Sequence, residues 1–263
     1  MVATTPRPTA RIARLILAVL AALGLVTGIA TLPAAAAPPL SYVALGDSIA
    51  AGTGGGTYLN ACLQTPGSYP ALLGAQSNLA CYGATTADVI AKQAPLVPSG
   101  VRDVTITIGA NDVGDAQVSG ACVVNPSATA CSAALYNSVF VLLPHLPAKL
   151  QATIAAVRSK APGAHITLTG YPMLFTVSGL PPAEQPAAAQ INGATALLNA
   201  TIATAAVTHG ASYADVTWAF LGHGLGSPSP WIHPFTPGDP ASFHPTATGY
   251  ALGYVPSVRP FVR

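Results

Sequence analysis

The sequence predicts an α/β fold: a three-layer α/β/α sandwich around a central, mainly parallel sheet. Short apolar or β-branched stretches bounded by glycine or proline recur along the chain, and stretches with helical patterning separate them. Neither an internal repeat nor an obvious linker interrupts residues 38–263. Strands that alternate with helices form parallel sheets covered on both faces, and these sheets bind ligands at the carboxyl ends of their strands.

Five segments are predicted as strands. The first is a short apolar run between a proline pair and a glycine turn, and the third is the clearest because β-branched residues nearly fill it. In chain order, the predicted strands are Tyr42–Leu45, Leu79–Tyr82, Asp103–Ile108, His165–Thr169 and Ser212–Val216.

The segments between the strands are predicted as helices. Ser68 suits the N-cap of a short helix, because its hydroxyl can accept from an unpaired backbone N–H. Pro144 and Pro147 are expected to kink or divide the longest helical segment. After the short helix, the predicted helices are Thr86–Gln93, Ala133–Lys160, Ala187–Thr208 and a C-terminal stretch through Tyr250 and Tyr254.

The N-terminal segment, residues 1–37, is interpreted as a secretory signal peptide, which leaves residues 38–263 as a single domain. Three arginines precede the apolar run Leu15–Leu32, and Ala34–Ala37 supplies a small-residue cleavage site. A retained membrane anchor is the alternative, since the run approaches the length that spans a bilayer. We therefore expect a secreted, extracellular protein.

Charge limits the kinds of partner. The whole chain has ten Lys and Arg residues, and three of them are the leader arginines. The predicted mature chain therefore has a formal net charge of −1, from seven basic and eight acidic residues. This balance indicates no nucleic acid or acidic polymer as a partner.

Four cysteines in an exported chain favour two disulfides. Three pairings can be drawn, and we favour the sequential one, Cys62 with Cys81 and Cys122 with Cys131, because it closes two short local loops. A zinc site is the alternative use of the cysteines, but the chain lacks a C-x-x-C spacing. We expect no metal.

Candidate catalytic residues follow three of the predicted strands. Ser48 comes after the first strand, Gly83 after the second and Asn111 after the third, while His244 lies before the C-terminal helical stretch. A serine hydroxyl becomes a nucleophile when a neighbouring base takes its proton, and acyl transfer also needs donors for the oxyanion. We predict that these four residues meet at one edge of the sheet.

These residues stand in four blocks: Gly-Asp-Ser at 46–48, Gly83, Gly-Ala-Asn-Asp at 109–112, and His244. The chain resembles, from residue 41 to about 255, the SGNH hydrolases, also called the GDSL esterase and lipase family. The resemblance implies their flavodoxin-like fold, with Ser48 as nucleophile and His244 as general base. It also implies an oxyanion hole made of the Ser48 and Gly83 backbone N–H groups and the Asn111 amide. An α/β-hydrolase is excluded, because no serine lies in a G-x-S-x-G turn.

The chain departs from many family members at the group that orients the histidine. Ala241 stands three residues before His244, where those members have aspartate, and Asp239 is the nearest carboxylate. The chain resembles a secreted bacterial branch, in its local cysteine pairs and its Ser-Phe-His-Pro sequence, that uses a backbone carbonyl instead. We predict a Ser-His dyad in which the Ser242 carbonyl accepts from His244. A triad through Asp239 is the alternative.

Other polar residues near these blocks have structural interpretations. Asp47 is expected to tie down the nucleophile turn through backbone hydrogen bonds, and Asp112 to cap a helix. His223, His233 and Trp231 lie in a Gly/Pro-rich loop whose spacing matches no metal-ligand pattern. This loop is predicted to form a wall near the active site.

The predicted function is a secreted carboxylic ester hydrolase, an esterase or lipase that works through an acyl-enzyme intermediate without metal or cofactor. Its expected partners are a small-molecule or lipid ester substrate and, transiently, a lipid interface; we expect a monomer. Lipid or fatty acyl esters are favoured. Acetyl esters of carbohydrates, or an exported binding protein without turnover, are the alternatives. A large apolar groove beside Ser48 would favour lipid, whereas an open cleft with exposed aromatic and polar groups would favour sugar.

Overall fold

The protein is described by a computed structural model, which covers residues 42–124 and 128–263. The predicted signal peptide lies outside the described residues. The centre is a five-stranded sheet in the order β2-β1-β3-β4-β5, and all its pairings are parallel. This arrangement confirms the predicted α/β class. The strands are β1 Tyr42–Gly46, β2 Ser77–Asn78, β3 Asp103–Thr107, β4 His165–Thr169 and β5 Ser212–Ala214.

Strands β1 and β3 are buried over their whole length, as expected for a parallel sheet covered on both faces. Three threonine hydroxyls on one face of the sheet have buried partners, whereas the buried hydroxyl of Thr167 on the same face has none within the described residues. Tyr42 Oη lies 2.8 Å from Thr105 Oγ1, and Tyr69 Oη lies 2.9 Å from Thr107 Oγ1. Thr107 Oγ1 also lies 2.7 Å from Thr169 Oγ1 on β4. These contacts offset the cost of burying hydroxyl groups in the core.

The predicted second strand, Leu79–Tyr82, is wrong in position, because the observed strand β2 is Ser77–Asn78 at the edge of the sheet. The chain after β2 still donates to β1, from Leu79 N and Cys81 N. The carbonyl oxygens of Asn78, at the end of β2, and of Ala80 accept from the side-chain amide of Gln64. A side chain thus replaces the neighbouring strand, so the regular ladder ends early.

The helices lie between the strands, and several continue as π-helical or 3₁₀ turns. The π-helical turns are Val89–Gln93, Gly120–Val124, Asn137–Leu142 and Gly249–Tyr254, and the 3₁₀ turns are Ala94–Leu96, Asn111–Val113, Leu143–His145, Val177–Gly179 and Arg259–Phe261. The α-helices are α1 Ser48–Ala51, α2 Tyr69–Leu72, α3 Thr86–Asp88, α4 Asp115–Ser119, α5 Ala128–Tyr136, α6 Leu146–Lys160, α7 Gln185–Thr208 and α8 Val255–Val258.

The two prolines of the longest helical segment divide it as predicted, although the segment begins earlier, at Ala128. A π-helical turn follows α5, and Pro144 lies in the 3₁₀ turn that separates this π-helical turn from α6. Pro147 occupies the first turn of α6, where a missing N–H leaves no hydrogen bond unmade. The backbone thus changes its helical geometry where proline cannot donate.

The two faces of the sheet are covered by different helices. On one face α6 packs between α3 and α7 and contributes Leu146, Leu150 and Ile154 to the core. On the other face α2 packs against the C-terminal helical stretch, where the rings of Tyr69 and Tyr254 stack with centroids 5.2 Å apart. The result is the predicted three-layer sandwich.

Both disulfides have the sequential pairing favoured from the sequence. Cys62–Cys81 joins the loop after α1 to the segment that follows β2. Cys122–Cys131 joins the π-helical turn after α4 to α5, and it is buried beside Ile191 of α7. Each bridge closes a short loop and is expected to stabilise the fold by about 3 kcal/mol through the unfolded chain.

Candidate active site

The turn after β1 places Ser48 at the carboxyl end of that strand, as the first residue of α1. Asp47 is the N-cap of this helix, and its carboxylate accepts from Ile49 N at 3.0 Å. Gly46 has φ +136°, and a Cβ at this position would lie 2.1 Å from Thr107 O. Only glycine therefore allows β1 to approach β3 so closely and to turn into α1.

His244 lies within hydrogen-bonding distance of the Ser48 hydroxyl. Its Nε2 is 2.7 Å from Ser48 Oγ, and its Nδ1 is 3.0 Å from the carbonyl oxygen of Ser242. Because a carbonyl oxygen can only accept, Nδ1 carries the proton and Nε2 carries the lone pair. The imidazole is thus held in the tautomer that can accept the proton of Ser48 Oγ.

A strained turn presents the Ser242 carbonyl to the imidazole. Phe243 has φ +65°, in the left-handed region that bulky residues avoid. Its backbone N–H donates to His233 O at 3.0 Å, and the N–H of His233 donates to His244 O at 2.9 Å. The Phe243 ring also stacks on Phe235, with centroids 5.9 Å apart. These contacts hold the turn in place against its strain.

Burial lowers the pKa of His244 to about 4, well below its ordinary value of 6.5. The hydrogen bond to the Ser242 carbonyl opposes this effect by favouring the protonated ring, while the nearby His233 adds to the lowering. At neutral pH the imidazole is therefore uncharged, and it has the free lone pair that a general base needs.

Asp239, the alternative orienting residue, lines the cavity beside His244 but bonds elsewhere. Its Oδ1 accepts from Ala241 N at 2.9 Å, which closes the loop on itself. The Nδ1 of His244 has the Ser242 carbonyl as its partner instead. Within the described residues, Asp239 makes no hydrogen bond to His244.

The predicted oxyanion donors follow three neighbouring strands: Ser48 follows β1, Gly83 follows β2 and Asn111 follows β3. Asn111 lines the same cavity as Ser48, and one hydrogen of its amide donates to Ala84 O at 2.9 Å. The Gly83 loop is held in place because Cys81 N donates to Gly46 O at the end of β1. Gly83 has φ +75°, a conformation that favours glycine. Within residues 42–124 and 128–263, the N–H groups of Ser48 and Gly83 have no hydrogen-bond acceptor.

Asp112, next to Asn111, has the structural role predicted for it. Its carboxylate accepts from the Thr86 backbone N–H at 2.9 Å and from the Thr86 hydroxyl at 2.7 Å, at the start of α3. Lys149 of α6 lies 3.2 Å from the same carboxylate. Asp112 thus caps a helix distant in sequence and anchors the Asn111 turn to it.

Tyr171 is a site residue that the sequence reasoning missed. Its hydroxyl donates to the Asp47 carboxylate and accepts from Ala110 N at 3.1 Å. Burial raises the pKa of Asp47 to about 7, although the Tyr171 and Ile49 hydrogen bonds oppose this rise. Tyr171 follows β4 by two residues, so its position at the carboxyl end of a predicted strand was the signal that could have found it.

A largely apolar cavity of about 540 Å³ opens beside Ser48, His244 and Asn111. Its aliphatic and aromatic wall comes from α4, the segment after β4, α7 and the loop before His244. These residues include Val118, Leu174, Ile191, Leu198, Phe235 and Phe243.

The Gly/Pro-rich loop forms part of this wall, but with other residues than those singled out from the sequence. Phe235 and Asp239 line the cavity, whereas the rings of His223 and Trp231 stack on each other with centroids 3.6 Å apart and do not line it. His233 Nε2 lies 2.9 Å from Gly54 O. In the described part of the chain, no group of three or more His, Cys, Asp or Glu residues could hold a metal ion.

A serine beside an uncharged imidazole, at the carboxyl rim of a parallel sheet, defines the class of serine hydrolases. The family model of the GDSL-like lipase/acylhydrolase family matches residues 44–252. The chain therefore belongs to the GDSL-like lipase/acylhydrolase family, and it is a serine hydrolase that acts on carboxylic esters. The resemblance seen in the sequence is confirmed.

Two lipases of Streptomyces are similar to this protein over most of the chain. A lipase of Streptomyces rimosus is 38% identical over 226 residues, which span 82% of this chain and 84% of the relative. Lipase 1 of Streptomyces coelicolor is 37% identical over 257 residues, which span 90% and 93%.

Two solved structures share both fold and sequence with this protein. The extracellular lipase of S. rimosus superposes with a TM-score of 0.79 at 38% identity, over 84% of this chain and 99% of the other. Phospholipase A1 of Streptomyces albidoflavus superposes with a TM-score of 0.78 at 37% identity, over 85% and 100%. Both superpositions cover more than four fifths of this chain, so the fold as a whole agrees with the family assignment.

Proposed function

We propose that the protein is a secreted lipase that hydrolyses long-chain fatty acyl esters through an acyl-enzyme formed on Ser48. Ser48 Oγ attacks the ester carbonyl while His244 Nε2 takes its proton. The same nitrogen then returns the proton to the leaving alcohol, which departs as the C–O bond breaks. Water repeats the sequence on the acyl-enzyme and releases the fatty acid. The Ser242 carbonyl stabilises the imidazolium in both steps.

The negative charge that develops on the carbonyl oxygen is assigned to three donors: the backbone N–H groups of Ser48 and Gly83 and the side-chain amide of Asn111. The open hydrogen-bonding capacity of the two backbone groups supports this assignment. The tie from Asn111 to Ala84 O also orients the amide without reorganisation during the reaction.

The apolar cavity beside Ser48 is the observation that carries the proposal of fatty acyl esters. A volume of about 540 Å³ with an aliphatic and aromatic wall can take an acyl chain out of water. An acetyl group would leave most of this wall without a partner. The relatives described as a lipase and as phospholipase A1 agree with this choice of substrate.

Secretion, after removal of residues 1–37, is part of the same proposal. Two disulfides form and persist in an oxidising compartment, which agrees with export. The leader-like composition of the N-terminus and the extracellular lipase among the solved relatives support it. Determining the N-terminal residue of the protein recovered from culture medium would test the cleavage site.

The substrate proposal is tested with p-nitrophenyl esters from acetyl to palmitoyl, with Ser48→Ala as the matched inactive variant. We expect kcat/KM to rise from the acetyl ester to the longer chains, and Ser48→Ala to abolish turnover on all of them. A preference for acetyl esters would contradict the lipid proposal and favour a carbohydrate esterase. Turnover that survives Ser48→Ala would contradict the assignment of the nucleophile.

A further inference from the structure

An exposed apolar patch covers the helical stretch next to the cavity. Tyr136 and Phe140 are 62% and 67% exposed, and their rings lie 5.2 Å apart. Leu197, which lines the same groove, and Val141, which follows Phe140 in the chain, are also exposed. An apolar groove between this stretch and α7 includes Leu135, Tyr136, Val139, Phe140, Ala194 and Leu197. We define the docking patch as Tyr136, Phe140, Val141 and Leu197.

The docking patch is continuous with the wall of the catalytic cavity. Ala194 of α7 lines both the groove and the cavity, and Ser138, two residues after Tyr136, lines the cavity from the same helical stretch. The helical stretch Ala128–Lys160 is also long and apolar, and only 22% of its most apolar segment is buried within the protein. The side chains of the patch thus stand beside the place where an acyl chain is expected to bind.

The two helical segments that form the patch carry no charge. Residues 116–148 contain no Asp, Glu, Lys or Arg, and neither does α7, Gln185–Thr208. Ordinary solvated helices carry charged residues on their outer face, and large exposed apolar patches mark interaction sites. Apolar, aromatic and uncharged groups match the boundary between the headgroups and acyl chains of a neutral membrane.

We propose that the docking patch binds the surface of a neutral or zwitterionic lipid aggregate and so brings the cavity to its ester substrate. The inference rests on the proposed lipase function, because a soluble acetyl ester would need no such surface. Contact with the aggregate would bury the aromatic rings of Tyr136 and Phe140 in the acyl boundary. An acyl chain would then pass from the aggregate along the shared wall at Ala194.

Binding is measured by co-sedimentation with phosphatidylcholine vesicles, in a Ser48→Ala background that leaves the lipid intact. Adding Tyr136→Ser and Phe140→Ser is expected to lower the partition coefficient at least about tenfold, because apolar area no longer leaves water. Vesicles that contain anionic lipid should bind no more tightly. The proposal would be overturned if the protein bound anionic vesicles more tightly and added salt abolished that binding.

Leu96→Ser with Val207→Ser is the matched control. These side chains are 64% and 71% exposed, but they precede β3 and β5 and so lie at the opposite rim of the sheet. The control should bind vesicles like the parent. Loss of binding in both double variants, or in neither, would overturn the proposal. It would also be overturned if the patch substitutions only split a dimer in sedimentation velocity and left vesicle binding unchanged.

Activity separates this inference from the proposed function. With Ser48 present, Tyr136→Ser with Phe140→Ser should lower the rate on micellar long-chain ester about tenfold and leave soluble short-chain ester within about twofold. Long-chain hydrolysis with unchanged vesicle binding by this variant would overturn the docking patch alone. Vesicle binding that depends on the patch, without long-chain hydrolysis, would overturn the substrate proposal alone.

Discussion

The hydroxyl of Tyr171 donates a hydrogen bond to the carboxylate of Asp47, the residue that caps the helix carrying Ser48. The same hydroxyl accepts from Ala110 N, next to Asn111. One buried side chain from the end of β4 therefore links the turn of Ser48, the proposed nucleophile, to the turn of Asn111, the proposed oxyanion donor. We infer that Tyr171 is a positioning residue, since it reaches the reacting atoms only through its neighbours.

Replacing Tyr171 with phenylalanine removes this link and keeps the ring. We expect kcat to fall about tenfold or more with KM little changed, because small displacements of reacting groups are costly. The free energy of unfolding should fall by about 1–3 kcal/mol, since buried polar groups lose their partner. Steady-state kinetics and urea unfolding of the same preparation measure the two effects.

Tyr42→Phe is the matched control for this prediction. Tyr42 begins β1, at the end of the strand opposite to Ser48, and its buried hydroxyl is hydrogen-bonded to Thr105 of β3. The substitution therefore also removes a buried hydroxyl, but away from the catalytic rim. It should lose a similar stability and keep its kcat. If Tyr171→Phe lost stability and kept kcat in the same way, Tyr171 would be structural only.

A second prediction separates the dyad from the triad. Asp239→Asn is expected to keep kcat within about tenfold of the parent, because the Ser242 carbonyl orients the imidazole and asparagine can still accept from Ala241 N. His244→Ala should reduce kcat by several orders of magnitude, since the general base is lost. Equally deep losses in both variants would contradict the dyad.

The third prediction concerns pH. Activity requires an uncharged His244, whose pKa is lowered to about 4, so kcat/KM should stay high through mildly acidic pH and fall only near pH 4. An imidazole with its ordinary pKa would instead become protonated, and activity would fall, below about pH 6.5. The measurement is a pH profile with short-chain ester, with folding checked by circular dichroism at each pH.

A step near pH 7 in this profile has another candidate source, because burial raises the pKa of the Asp47 carboxyl to about 7. Asp47→Asn removes that ionisation. A step that disappears in this variant would belong to Asp47, whereas a limb near pH 6.5 that persists would contradict the lowered pKa of His244.

The fourth prediction tests the oxyanion assignment. Asn111→Ala should lower kcat by about 10²–10³ with little change in KM, because the donor acts on charge that develops in the transition state. Asn192→Ala is the matched control, since its amide also bridges a loop, by donating to Phe175 O at 2.8 Å. The control should keep its kcat. A change in KM alone for Asn111→Ala would contradict an oxyanion role.

The regular elements were predictable where local pattern and burial agree. Strand β4 was located to the residue, because its β-branched run ends at a glycine and is buried between β3 and β5. Strand β2 was misplaced, since an edge strand is short and its neighbouring segment is held by the Gln64 side chain. That contact joins residues distant in sequence, so no local pattern signals it.

The sequence alone determined the class of this protein: the strand-helix alternation, the four motif blocks and the cysteine pairs are local, and each restricts the backbone or the chemistry near its own residues. Only the tertiary structure decided that His244 meets Ser48 at 2.7 Å, that Tyr171 joins Asp47, and that an apolar cavity opens beside them. The physical reason is that hydrogen bonds and cavity walls depend on which side chains the packed sheet brings together across more than a hundred residues of chain. Local patterns specify the elements, and packing specifies their contacts.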